Sequence, residues 1–393
     1  MFSLRQKIIK PLFIALGFLP AFLLRFFNIR FLPVTVDRIG HLAIEPDCYL
    51  KERILGLRPT FKTVLLCAPK SKVANQALAG YWSQHFVQIS APWLCAALKP
   101  LSVQKMLRDE VEDYAVAINK TAAFCEIQKN WGNRPPLLSL TREHTTRGEI
   151  RLRLLGVPEG AWFVCIHSRE GEYSPHDEHH HSFRNSNIET YSMAMKAIVD
   201  QGGWCIRLGD PTMKKISPMD RVIDYAHHSL REDWMDLFLA ARCRFFLGCS
   251  SGPFLMASIF GTPVAVVNSA PLSTVLPFGR KDLGIPKLLW SRQKNRLLTF
   301  PEIFASPLAN MRYAKEFESA GVDIKDNTPE EIADLALEQL GNTERHSLYT
   351  HEDDALQLQF KSLMKLGHYT FGCESRIGRD FIKKHSFLLG STK

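Results

Sequence analysis

The chain has no C-x-x-C pair, no Gly-x-Gly-x-x-Gly after any strand-like run and no long Lys/Arg block. The missing glycine fingerprint disfavours a nicotinamide dehydrogenase, and the missing basic block disfavours a nucleic-acid module. Nine cysteines are scattered along 393 residues. Their number is odd, and Cys67, Cys165, Cys205 and Cys243 lie in apolar strand-like runs, as reduced core thiols do. A cytosolic setting is therefore expected rather than a disulfide framework. No apolar run reaches the ~20 residues that a spanning helix needs. The uncharged stretch Pro11 to Leu24 covers fourteen residues and is interrupted by Gly17 and Pro20. No Ala-x-Ala-like cleavage site follows it, and no internal repeat or low-complexity tract is visible.

What is present is basic charge: a formal +9 at neutral pH and a pI near 9.1. That balance implies an anionic partner, either a phosphate-bearing ligand or an anionic membrane surface, with nucleic acid the weakest option. Residues 1–33 carry Arg5, Lys7, Lys10, Arg25 and Arg30 among Phe13, Phe18, Phe22, Leu23, Phe26 and Phe27. This pattern suits a segment lying in the membrane interface, on the inner face of the membrane, rather than crossing it.

A length of 393 residues favours two domains. Val34 to Ile39 reads as a strand, and Gly40-His41 as the turn before a helix from Leu42 to Leu55. His41 then stands at the carboxyl end of a strand, where open α/β sheets bind ligands, and a neutral imidazole there can act as a general base. Glu45 and Asp47 are the substitute bases. Further strands are expected at Thr63 to Ala68, Phe86 to Ile89 and Leu137 to Leu140. The charged stretch Thr141 to Gly160 marks the crossing into a second domain.

The second half centres on Phe245 to Asn268. Two β-forming runs, Phe245 to Leu247 and Val264 to Val267, bracket a helical run from Phe254 to Phe260, with Pro253 at its start and Gly261 at its stop. The turn between holds Gly248, Ser250, Ser251 and Gly252, a small-residue corner suited to phosphate. Arg169 follows the strand Trp162 to Ile166, and Arg207 follows Trp204 to Ile206. Two guanidinium groups at adjacent strand ends would clamp a diphosphate. Between them Gly171 to Asn187 is a long polar loop, read as a lid over a bound donor. Its His176, Asp177, His179, His180 and His181 are too closely spaced to suggest a metal site. Arg184 and Asn185 at its end could reach the same phosphates, and Asp224 a ribose or base. Pro286 to Leu289 reads as a last strand, followed by helices. The basic tail Ser375 to His385 would pack back on the first domain or touch the membrane.

Ser251-Gly252-Pro253 and Gly261-Thr262-Pro263 resemble the donor-binding turn of GT-B glycosyltransferases of the heptosyltransferase-like kind. The wider set is Arg38 to Leu42, His167-Ser168-Arg169, Arg184-Asn185, Ile206 to Gly209 and Asp224-Tyr225. It resembles an uncharacterised bacterial family of glycosyltransferases from surface-polysaccharide settings. The His-x-Arg is also similar to that of fucosyltransferase-type enzymes. The resemblance implies an α/β, GT-B-like fold of two Rossmann-like domains facing a central cleft. The expected divisions are 1–33 for the membrane-interface segment, 34–150 for the acceptor domain, 151–310 for the donor domain and 311–393 for C-terminal helices.

It further implies a nucleotide-sugar co-substrate with no metal or other cofactor, and transfer to a glycan or lipid-linked acceptor. His41, Arg169 and Arg207 would be catalytic. Gly40, Arg184, Asn185, Asp224, Ser250, Ser251 and Gly252 would bind substrates. Alternatives are a sugar-nucleotide epimerase or hydrolase on the same body, or a non-catalytic membrane scaffold.

Overall fold

The computed structural model describes residues 17–32, 34–66, 68–102, 121–171, 175–344 and 349–390. The chain divides into two compact units, residues 1–117 and 118–393.

The first unit comprises α1 (residues 17–26), β1 (Ile29–Leu32), α2 (Ile39–Ile54), β2 (Lys62–Leu66), α3 (Gln76–Trp82), β3 (Val87–Ile89) and α4 (Pro92–Ser102). Its sheet is parallel with order β1-β2-β3. α2 buries Leu42, Ala43, Ile44, Cys48 and Tyr49, and Trp82 of α3 donates its indole N–H to Leu42 O at 2.8 Å.

The first strand is therefore Ile29–Leu32, and Val34 to Ile39 forms none. Val34 and Val36 are buried in the turn before α2, which imitates the alternation of a strand without a ladder partner among the described residues. The strand lies inside the segment expected at the membrane. Arg30 does not face headgroups: it is buried, with its guanidinium 4.5 Å from the centre of the Phe61 ring.

The second unit opens with α5 (Thr121–Trp131), α6 (Arg142–Leu154), β4 (Phe163–Ile166), α7 (Pro175–His181), α8 (Ser192–Asp200) and β5 (Trp204–Arg207). It continues through β6 (Val222–Ile223), α9 (Asp233–Arg242), β7 (Phe246–Cys249), α10 (Phe254–Ile259), β8 (Val264–Ser269), β9 (Leu283–Pro286), β10 (Leu288–Ser291) and β11 (Arg296–Leu297). It ends with α11 (Phe300–Phe304), α12 (Ala314–Ser319), β12 (Val322–Lys325), α13 (Pro329–Thr343), α14 (His351–Ser362), β13 (Arg376–Ile377) and α15 (Arg379–Lys384). Seven strands form one parallel sheet in the order β13-β9-β8-β7-β4-β5-β6. Every residue of β4, β7 and β8 is buried, which explains why these strands read as continuous apolar runs rather than alternating ones. A small antiparallel sheet, β11-β10-β12, lies beside it in sequence.

Several expectations change here. α5 and α6 fall in the second unit, not in a domain ending at 150. α6 reads as a charged linker because its polar face dominates, yet its Gly148 meets Phe238 of α9 so closely that an added Cβ would lie 2.2 Å from the ring. His144 also stacks on Trp234, and Arg151 pairs with Glu232 at 2.8 Å. Leu137 to Leu140 is not a strand, and Pro286 to Leu289 straddles two strands with Lys287 at the corner between them.

The tail belongs to the second unit. β13 extends the large sheet beside β9, and His385 and Lys384 both hold Glu331 of α13, at 2.8 and 2.7 Å. Cys125 and Cys373 form a disulfide across 248 positions of sequence, against the expectation of reduced cysteines. Partners so distant in sequence cannot be matched from spacing.

Candidate functional site

The β7–α10 turn is built as its composition requires. An added Cβ at Gly248 would lie 3.1 Å from the Phe246 ring, close enough that the ring would have to shift by a few tenths of an ångström. Ser251 N–H turns back onto Cys249 O at 2.6 Å. Pro253 caps a six-residue helix, and Gly261 ends it at φ +80°, where a side chain is strained. Ser250 Oγ ties the turn to the end of β8 by donating to Ala270 O at 3.1 Å.

Three cations from separate elements act on Cys249 at the head of this turn. Arg184, after α7, donates its Nε–H to Ser250 O at 2.7 Å. Arg169, after β4, sends its backbone N–H to Cys249 Sγ at 3.1 Å. Lys287, between β9 and β10, donates to Asn185 O at 2.5 Å and pairs with Asp326 at 2.8 Å. The Cys249 thiol lies within the field of all three. Burial pushes it up, and Arg169, Arg184 and Lys287 each pull it back down.

The Arg169 side chain is 13% exposed and that of Lys287 4%. Arg169 Nη1 donates to Asn185 Oδ1 and His181 O and lies 3.6 Å from Glu178. Among the described residues Arg169 Nε and Nη2 make no hydrogen bond. Asn185 is clamped on both sides, since its Nδ2 donates to Glu178 at 2.6 Å. The polar loop expected as a lid thus contains α7, whose Glu178 carboxylate rests on the group an anion would occupy. Gly171 lets it approach, for an added Cβ there would lie 2.5 Å from the Glu178 carboxyl carbon.

Arg207 differs. It is fully buried, with Nη1 on Asp224 at 3.1 Å, Nη2 on Glu170 at 3.4 Å and on Lys214 O at 3.1 Å. Glu170 also accepts Lys214 N–H at 2.6 Å, and Asp224 accepts Ile216 N–H at 3.2 Å. Arg207 and Asp224 therefore form a loop-holding network, and a clamp of Arg169 with Arg207 is not what the fold builds. His167, between the two arginines in the field it feels, is buried and pushed down to about 3 by desolvation, then by Arg207 and Arg169, so it stays neutral.

Lys287, Glu178, Ser186, Asn268 and Asn327 escape sequence reasoning. Asn268 and Asn327 exchange two hydrogen bonds, at 2.6 and 2.7 Å, and Asn268 reaches Ser186 at 2.8 Å. Ser186 in turn donates its N–H to Arg169 O at 2.9 Å. The only available hint is an asparagine directly after the apolar run of β8. In the first unit, Gly40 and His41 lie in the first turn of α2 rather than before it, and His41 Nδ1 is 2.6 Å from Glu45 Oε1.

No family model matches the chain, and no curated protein matches it. Among solved structures it is similar to the ADP-heptose LPS heptosyltransferase II of E. coli, at 11% identity and a TM-score of 0.39, covering 61% of this chain and 84% of that one. It is also similar to a family 9 glycosyltransferase from Veillonella parvula, at 11% identity and a TM-score of 0.29, covering 61% of this chain and 64% of that one. A third likeness is to the iron-containing dodecameric glycosyltransferase TibC of enterotoxigenic E. coli, at 14% identity and a TM-score of 0.33, covering 61% and 57%. Likenesses this loose assign neither an activity nor a substrate to this chain.

Proposed function

We propose that the chain is a glycosyltransferase of GT-B type acting in surface-glycan biosynthesis. Its second unit holds the diphosphate of a nucleotide-sugar, and its first unit offers Gly40 and His41 to a saccharide or lipid-linked acceptor. The observation that carries this reading is that Arg169, Arg184 and Lys287 all act electrostatically on Cys249, where the Cys249 to Gly252 turn leaves the carboxyl end of β7, and that Arg184 bonds the turn directly at Ser250 O. Such a cluster meets the charge that develops on a departing diphosphate. In this reading the counter-charge is supplied by side chains, with no metal step.

A thermal-shift screen against UDP-, GDP-, ADP- and CMP-sugars tests it. The matching donor at a hundred times its Kd is expected to add about 2.7 kcal/mol and raise the melting temperature by several degrees. A flat response to all four classes would remove the donor site, and product analysis separates sugar transfer from epimerisation or hydrolysis.

The reading includes a membrane surface. No helix among the described residues is long and apolar enough to cross a membrane. α1 and the residue after it nevertheless expose Phe18, Leu19, Phe22, Leu23, Phe26 and Phe27 by between 52% and 80%, with Ala21 as the buried contact. An apolar surface of this kind, beside the exposed Arg25, fits an anionic bilayer. We place the chain on the inner face of the membrane. Burial of Cys125 and Cys373 slows exchange of their disulfide with a reducing pool. Flotation with anionic vesicles is expected for the intact chain and should be lost on replacing Phe22 and Phe26 by Ser. Equal flotation of both proteins would argue against this surface.

A further inference from the structure

α7 reads PHDEHHH and has no apolar stripe to hold it down. A helix this short is not stable on its own, so its contacts decide where it rests. Glu178 accepts Asn185 Nδ2–H at 2.6 Å and lies 3.6 Å from Arg169 Nη1. The His181 carbonyl, at the end of the helix, accepts from the same Nη1 at 3.3 Å. The rings of His180 and His181 rest on Tyr313, with centroids 5.7 and 5.9 Å away. Directly afterwards the chain becomes fixed: Phe183 is buried against Phe317, and Arg184 bonds Ser250 O. Whatever moves α7 therefore has only polar and ring contacts to break on its near side of Phe183, the kind of segment that opens locally at low cost.

We infer that α7 is an autoinhibitory latch, in which Glu178 takes the place of a ligand phosphate on Arg169 and Asn185 and is displaced when a diphosphate enters. The inference rests on the reading of this site as a diphosphate site and adds the event that opens it. A carboxylate and a phosphate are the same kind of charge-assisted acceptor, so they compete for the same donors. Glu178 brings one negative charge and a diphosphate brings more, so the exchange favours the diphosphate, whereas a singly charged anion gains little. The seated carboxylate is also imperfectly satisfied: among the described residues its Oε2 is buried without a hydrogen bond. Arg169 couples the two states, because a guanidinium drawn to a ligand leaves Glu178 and the His181 carbonyl together. Gly171 seats the latch, since an added Cβ there would lie 2.5 Å from the Glu178 carboxyl carbon. That contact is with the tip of a flexible side chain, so a methyl group at position 171 pushes the carboxylate aside without removing its charge.

The test measures binding of inorganic pyrophosphate to the full chain by calorimetry at fixed ionic strength, for wild type, Glu178→Ala, Glu178→Gln and Gly171→Ala. The Kd is expected to fall about fivefold in Glu178→Ala and in Gly171→Ala. It should fall less in Glu178→Gln, whose amide oxygen still accepts from Asn185. Hydrogen exchange over residues 178–181 should rise when wild type is saturated with pyrophosphate, and should already be high in Glu178→Ala without it. Melting temperatures within a degree or two of wild type are expected for all three variants, which separates a released latch from a damaged fold. A Kd equal to wild type in all three, or exchange over residues 178–181 that does not rise with pyrophosphate, overturns the latch and leaves the anion site standing. No pyrophosphate binding by any of these proteins removes the diphosphate site itself, and the latch with it.

Discussion

Arg169→Ala is expected to lower sugar transfer by about 10²–10³-fold, the loss seen when one preorganised charge-stabilising donor is removed. The melting temperature should scarcely move. Among the described residues Arg169 is anchored through Nη1, and its carboxylate partner Glu178 is 36% exposed and 3.6 Å distant. A pair of that kind contributes roughly 0–1 kcal/mol. The guanidinium otherwise offers Nε and Nη2 to whatever enters, and a planar fork suits phosphate oxygens. Without ligand, Glu178 supplies the opposite charge from α7, so an entering diphosphate must displace a carboxylate and regain that interaction. Arg169→Lys keeps the charge and loses the fork, and should fall between wild type and Arg169→Ala. Turnover and nucleotide-sugar affinity equal to wild type in Arg169→Ala would take Arg169 out of the site.

The large parallel sheet was legible because its central strands are buried on both faces and flanked by small or breaking residues, as at Phe246–Cys249 and Val264–Ser269. Pro253, Gly261 and the Asn187 cap were legible because each marks a helix end locally: Pro253 by its fixed φ, Gly261 by its positive φ, and Asn187 by accepting Glu189 N–H. What local signals cannot show is convergence. Lys287 reaches the site by a corner between β9 and β10, 102 positions from its partner Asn185. Glu178 reaches it because a loop of polar residues folds into α7. β1 was hidden because a strand buried beneath an apolar helix shares that helix's composition. In the tail, β13 has only two residues, too few for any periodicity.

Arg207→Ala is expected to act on stability before activity, the reverse of Arg169→Ala. From sequence the two arginines are equivalent, each following a buried strand at its carboxyl end. They part because Arg207 has no exposed surface and two carboxylates close over it, Glu170 and Asp224. Removing one member of a buried ionic group typically costs 3–5 kcal/mol, since the remaining charges stay desolvated. Here Glu170 and Asp224 are 15% and 18% exposed, so water recovers part of that loss and the cost should lie at the low end, about 3 kcal/mol. For a unit of this size that lowers the melting temperature by roughly 5 °C. The loop from Asp210 to Ile216 should loosen with it, because Lys214 O and N–H and Ile216 N–H all bond into the network. Hydrogen exchange should therefore rise at Lys214 and Ile216. A melting temperature within a degree or two of wild type, with transfer abolished, would show that Arg207 meets the substrate directly and that the buried network is secondary.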